Sequence, residues 1–209
     1  MRLIGGDFVN NFERVQSIII NAGGVVRTAD FNAAGLSNTI VSDMCKRGFI
    51  IRTRSGYYAL PQHHEQREEE IIAQLFPDGI VCRDSALFYY GYNDRTPLEW
   101  HLAFSRTVTR SRFESNSPPV CYYMVQESIL DLGKSEGDWN GIQLAVYDRE
   151  RTICDCFKRR SQMDSEMFAK AVNAYAADDK KNLASLSQYA KKLRVNKKVT
   201  ELMEVLLNG

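Results

Sequence analysis

Apolar positions recur along this chain at two periods, and the switches between them mark its elements. From Asp7 to Asn21, Phe8, Phe12, Val15, Ile18 and Ile19 fall at three- and four-residue spacing, which predicts a helix packed by one face. Ala22-Gly23-Gly24 closes it. Thr28 is placed to cap a second helix, with Asp30 in the first turn, where the helix dipole favours a negative charge. Gly35 breaks that helix and Ser37 caps a third. In the third, Ile40, Val41, Met44 and Cys45 share an inward face, and Asn38, Thr39, Ser42, Asp43, Lys46 and Arg47 take the other. Gly48 ends it. Two strand-like runs, Phe49 to Thr53 and Tyr57 to Leu60, meet at Ser55-Gly56, a hairpin signal, and Pro61 stops the second. Helix, turn, helix and hairpin in this order predict a winged helix-turn-helix over residues 1–61.

Residues 62–209 read as a second domain. A linking helix opens at His63-His64-Glu65 and runs through Ile71, Ile72, Leu75 and Phe76 to the break at Pro77-Asp78-Gly79. Adjacent histidines point about 100° apart on a helix, so they are read as a solvated helix start rather than metal ligands. Asp84 or Ser85 is placed to cap a short helix that Gly91 ends. Leu98 to Phe104, Val120 to Val125 and Ile142 to Tyr147 pattern as strands, and Gly133 to Asp138 as a turn-rich connection. Beyond a cap at Asp148 the chain reads helical: a first helix with Ile153, Cys156 and Phe157 inward, then Ser165–Ala177, Leu183–Leu193 and Lys197–Leu207. The expected fold class is α+β, an N-terminal winged helix-turn-helix followed by a mixed domain with a small β-sheet and a helical end.

Charge sharpens this picture. The net charge of +1 hides +3 over residues 1–60, −7 over residues 61–179 and +7 over residues 180–198. Two basic surfaces with an acidic body between them are expected. In the first, a polar, short-armed helix face suits the DNA major groove. Asn38, Thr39 and Ser42 are candidates to read bases, while Lys46, Arg47, Arg52 and Arg54 hold phosphates. Arg27, before the second helix, and Ser55, at the wing tip, complete the candidate DNA-binding set. The same fold can instead bind protein. The second surface comprises Lys180, Lys181, Lys191, Lys192, Arg194, Lys197 and Lys198. It extends the DNA footprint, reaches RNA or is a solvated face. The basic run Ser105 to Arg112 is either a solvated loop or one that touches nucleic acid or an acidic partner.

Chemistry of other kinds is not signalled. There is no phosphate-binding glycine loop, no assembled Ser-His-acid set and no metal-ligand spacing, and Cys154-Asp155-Cys156 lacks the two-residue gap of a redox or zinc pair. Asp84, Glu99 and Asp148 are the only acids near strand ends, short of a clustered metal site. The expectation is a protein that is not an enzyme and needs no cofactor. Five cysteines without a framework spacing are expected to be free thiols. No apolar run approaches the roughly 18 residues of a membrane span, and the N-terminus has no apolar signal core, so a cytoplasmic location is expected.

In three places the chain resembles the AbiEi antitoxins of type IV toxin–antitoxin, or abortive-infection, systems. These are Gly23-Gly24-Val25-Val26-Arg27-Thr28-Ala29-Asp30; Ser85-Ala86-Leu87 with Gly91, Asp94, Pro97 and the strand Trp100 to Phe104; and Asp148-Arg149-Glu150-Arg151-Thr152-Ile153-Cys154-Asp155. The last is similar to a Glu-Arg-Thr-Leu-like helix start in that family, with Ile153-Cys154 where leucines are commoner. The resemblance implies a winged domain that binds inverted repeats in double-stranded promoter DNA of its own operon and represses it. It implies a C-terminal domain that counteracts an AbiEii-like nucleotidyltransferase toxin without a stable complex. The alternative is a winged-helix transcription regulator whose C-terminal domain senses a ligand or a protein.

Overall fold

The computed structural model describes residues 5–61, 67–109, 113 and 118–208, apart from the side chains of residues 5–9, 54, 207 and 208. His63 and His64, and Arg110 and Arg112 of the basic run, lie outside the described residues. The chain divides into two compact units, Met1–Pro77 with Thr109–Pro118, and Asp78–Val108 with Pro119–Gly209.

In the first unit the order is α1 (Gly5–Asn21), β1 (Val25–Arg27), α2 (Thr28–Ala33), α3 (Asn38–Lys46), β2 (Ile51–Arg54), β3 (Tyr57–Ala59) and α4 (Glu68–Leu75). Its core gathers the apolar stripe of each helix: Val15 and Ile19 from α1, Phe31 from α2, Val41 and Met44 from α3, closed by Leu36 and Ile50. The strands form an antiparallel sheet in the order β1-β3-β2, which adds β1 to the expected hairpin. A register shift between Arg52 and Arg54 marks a bulge opposite Tyr57 and Tyr58. It turns Thr53 into the interior, where its hydroxyl finds no hydrogen-bond partner. The residue capping α2 is Arg27, not Thr28. Thr28 is already helical, and its N–H and hydroxyl both donate to Gly56 O, at 2.8 and 3.2 Å. The short polar side chain at that position serves the wing rather than the helix.

In the second unit the order is β4 (Ile80–Val81), α5 (Arg83–Tyr89), β5 (Trp100–Ser105), β6 (Val120–Val125), α6 (Glu127–Leu130), β7 (Lys134–Trp139), β8 (Ile142–Tyr147), α7 (Arg149–Lys158), α8 (Ser165–Ala177), α9 (Leu183–Lys192) and α10 (Asn196–Asn208). The sheet runs β6-β5-β4-β8-β7, with parallel pairs at β5–β6 and β4–β8 and antiparallel pairs elsewhere. The stretch read as a turn-rich connection is the edge strand β7. Asp84 and Ser85 lie inside α5, whose N-cap position is taken by Cys82 without a side-chain capping bond. The Ser85 hydroxyl instead accepts the His101 N–H at 3.0 Å.

Helix α7 is the hub. Ile153, Cys154 and Phe157 sit in one core with Val172 and Tyr175 of α8, Leu186 of α9 and Val199 and Met203 of α10. Three of its polar residues, Glu150, Arg151 and Thr152, are buried too. Asp148 caps the helix through Arg151 N at 2.7 Å and accepts the Tyr189 hydroxyl at 3.1 Å. Glu150, 6% exposed, accepts the Tyr175 hydroxyl and the Asn182 N–H, which ties α8 and the start of α9 to α7. Arg149 pairs with Asp178 at 2.9 Å, and Tyr92 donates to the same carboxylate at 2.6 Å.

That last cluster has a pH signature. Burial raises the Asp178 carboxyl, but hydrogen bonds from Tyr92, the Lys180 N–H and Arg149 outweigh it and hold the group below the ordinary carboxylate range. A depressed acid stabilises the fold above its unfolded pKa, and that contribution is lost as pH falls through the folded value. Tyr92→Phe is therefore expected to reduce the loss of stability between about pH 5 and pH 2, measured by urea unfolding. An acid limb as steep as wild type would show that Tyr92 does not hold the carboxylate.

Candidate nucleic-acid interface

Helix α3 presents the candidate reading face. Ser37 caps it by accepting the Ile40 N–H at 3.4 Å. Leu36 ahead of the cap is buried, so the entry angle is fixed by the core. With Val41 and Met44 buried, the helical period turns Asn38, Thr39, Ser42 and Lys46 outward, and all four are exposed. Gly35 and Gly48, at φ of +79° and +76°, supply the left-handed turns that bracket the helix.

The basic residues of this unit are differently committed. Arg27 donates through its N–H, Nε and Nη2 to Asp30, at 3.1 to 3.2 Å, and the side-chain hydrogen bond holds that carboxyl below its ordinary range. Arg47 pairs with Asp43 at 3.0 Å. Arg52 donates to the Ser55 hydroxyl at 3.1 Å, which brings these two candidates together at the wing tip. Arg54 lies in β2, but its side chain is outside the described residues. Exposed pairs of this kind are weak, so a phosphate can replace either carboxylate at modest cost. The wing itself is short and pinned, since Gly56 at its tip is bonded to the start of α2.

Two contacts were not legible in the sequence. Arg14 of α1 donates to Ala34 O at 2.8 Å and fastens α1 to the turn ahead of α3. Gln74 of α4 donates to Gly23 O at 3.0 Å, so the linking helix braces the winged fold. Both are long-range partnerships of polar side chains, Arg14 exposed and Gln74 half-buried, for which the local pattern carries no signal.

The C-terminal basic residues do not form one cluster on the chain path. Lys180 and Lys181 precede α9, and Lys191, Lys192 and Arg194 follow at its far end, on the order of 15 Å along the axis. Lys181 donates to Asp178 O and Lys197 lies 3.8 Å from Glu201. Lys191, Lys192, Arg194, Lys197 and Lys198 are exposed.

Fold and exposed face together define a winged helix-turn-helix protein with a second α+β unit. Residues 13–61, from α1 through the wing, match the model of a family described as transcriptional regulator, AbiEi antitoxin, which supports the resemblance read from the sequence. The fold is similar to that in the crystal structure of the RV2827C protein from Mycobacterium tuberculosis, with a TM-score of 0.52 at 13% sequence identity, covering 95% of this chain and 81% of that one. No curated protein matches the chain. Among the described residues no helix is long and apolar enough to cross a membrane.

Proposed function

We propose that this protein is an antitoxin and transcriptional autorepressor of a type IV toxin–antitoxin operon acting in phage defence. The winged unit binds inverted repeats in its own promoter in the cytoplasm. The second unit counteracts a nucleotidyltransferase toxin without forming a stable complex. The observation that carries the reading is the AbiEi family match over residues 13–61, which spans α3 with its exposed Asn38, Thr39 and Ser42.

The test is binding of the full chain to DNA just upstream of its own gene, read by fluorescence anisotropy against a scrambled competitor. Preferential binding is expected, weakening steeply between about 50 and about 200 mM salt as phosphate counterions are released. Equal affinity for scrambled DNA would make the winged unit a protein-binding module and remove the autorepressor role. Rescue of growth when the second unit is co-expressed with the neighbouring toxin reads the antitoxin role separately.

A further inference from the structure

The second unit holds a cationic hollow that the DNA-binding reading does not use. A cavity of about 220 Å³ lies beside Tyr123, bounded by Leu87, Asp155, Arg159, Met163 and Met167. A second hollow of similar size shares Arg83, Tyr123, Asp155 and Arg159 with it and adds Arg106 and Lys158. The lining is thus divided, basic where the two hollows meet and apolar at Leu87, Met163 and Met167.

The basic part is unbalanced. Arg83 opens α5 in the left-handed region, at φ +49°, a conformation that costs a non-glycine residue about 1 kcal/mol or more. Its guanidinium carbon sits 3.3 Å from the centroid of the Tyr123 ring, and its buried Nη2 finds no hydrogen-bond partner. Arg159 lies 5.7 Å over the same ring; the residue stays exposed, but partial desolvation of its guanidinium and the neighbouring Arg83 oppose its charged form. Arg159 donates to a neutral group, Gln162 Oε1, at 3.1 Å. Three acids line the cavities. Asp155 pairs with Arg151 at 3.2 Å, Asp164 accepts the Met167 N–H at 3.0 Å as the cap of α8, and Asp84 remains against Arg83, Arg106, Lys158 and Arg159. Like charges held over one ring, with a guanidinium nitrogen left unsatisfied, are the arrangement an oxyanion completes.

We propose that this hollow seats a phosphoryl group, with Arg83 and Arg159 as its forked donors, Lys158 and Arg106 at the rim, and the apolar lobe taking the rest of a phosphorylated small molecule. A phosphate offers enough acceptor oxygens for two guanidinium forks and an ammonium, and charge-assisted bonds to it recover the cost of confining the cations. The ligand chemistry is shared by a phosphate ester and by free phosphate. The site is independent of the antitoxin reading, because its ligand is measured without DNA or toxin.

The experiment is calorimetric titration of the full chain at low salt with AMP, with inorganic phosphate and with adenosine. AMP is expected to bind and adenosine not to. Phosphate binding as well as AMP would assign the site to free phosphate, and weaker phosphate binding to an ester whose body fills the apolar lobe. Arg159→Gln and Lys158→Gln, both at exposed positions and so safe for folding, are each expected to weaken binding about tenfold. Arg83→Leu should abolish it. Failure of both anions to bind wild type, adenosine binding equal to AMP, or undiminished binding by both exposed-site variants would overturn the proposal.

Discussion

Arg151→Met is expected to destabilise the second unit by about 3–5 kcal/mol, the cost of stripping one partner from a buried ion pair. Arg151 is 2% exposed, and its Nε and Nη1 donors are spent inside the protein. Nε reaches Asp155 at 3.2 Å, and Nη1 reaches the carbonyls of Ile129 and Leu132 at 2.7 and 2.8 Å. Its guanidinium carbon stands 4.1 Å from the Tyr147 ring centroid. Methionine keeps much of the volume but leaves two carbonyls without their donor and the Asp155 carboxylate without its charge partner. Burial already pushes that carboxyl up, and Arg151 is the strongest influence holding it down.

The measurement is selective, because the two tryptophans, Trp100 and Trp139, both belong to the second unit. Their fluorescence during urea unfolding follows that unit. A second variant isolates the cause. Asp155→Asn in the Arg151→Met background removes the uncompensated charge and should recover part of the loss. The sign of the pH dependence follows as well. An acid whose folded pKa is raised destabilises as pH rises through the interval above its unfolded value, so the single variant should be closest to wild type in acid. A loss below about 1 kcal/mol, the scale of an ordinary surface change, would show that Arg151 is not a structural clasp.

The same residues show what the sequence could and could not convey. Asp148 was legible as a cap because capping is local, one side chain and one N–H three residues on. The helices α7 to α9 were legible to within a residue or two because each carries its apolar stripe at helical spacing. The buried roles of Glu150 and Arg151 were not legible. Charged residues in a first turn read as solvated, and their partners, Asn182 and Ile129, lie 32 and 22 positions away. Strand β7 was hidden differently. Lys134, Glu136 and Asp138 face solvent, and Gly137 is required where a Cβ would come within 2.9 Å of Val146. An edge strand of polar residues around a glycine has the composition of a turn. The cationic hollow was invisible for a related reason. Arg83, Arg106 and Arg159 are scattered in the chain, and only the stacking on Tyr123 brings two of them together.

The winged unit was the most legible part, so its chemistry can be separated by substitution. Replacing Asn38, Thr39 and Ser42 together by alanine is expected to erase the preference for the upstream DNA, each lost base contact costing about 1–3 kcal/mol of discrimination. None of the three is charged, so the dependence of affinity on salt should stay as in wild type. Arg52→Ala with Arg54→Ala is expected to act the opposite way. Affinity should fall for upstream and scrambled DNA alike, and the salt slope should drop by about one for each phosphate contact removed. Part of the Arg52 effect passes through Ser55, the wing-tip hydroxyl it bonds, so Ser55→Ala alone should reproduce a fraction of the loss. The two sets are read in one anisotropy titration at several salt concentrations. If the alanine triple changed the salt slope and kept the preference, α3 would be lying on the backbone rather than in the groove. If the arginine pair changed preference alone, the wing would be the reading element. Either exchange would reverse the orientation proposed for this winged helix on DNA while leaving its fold as described.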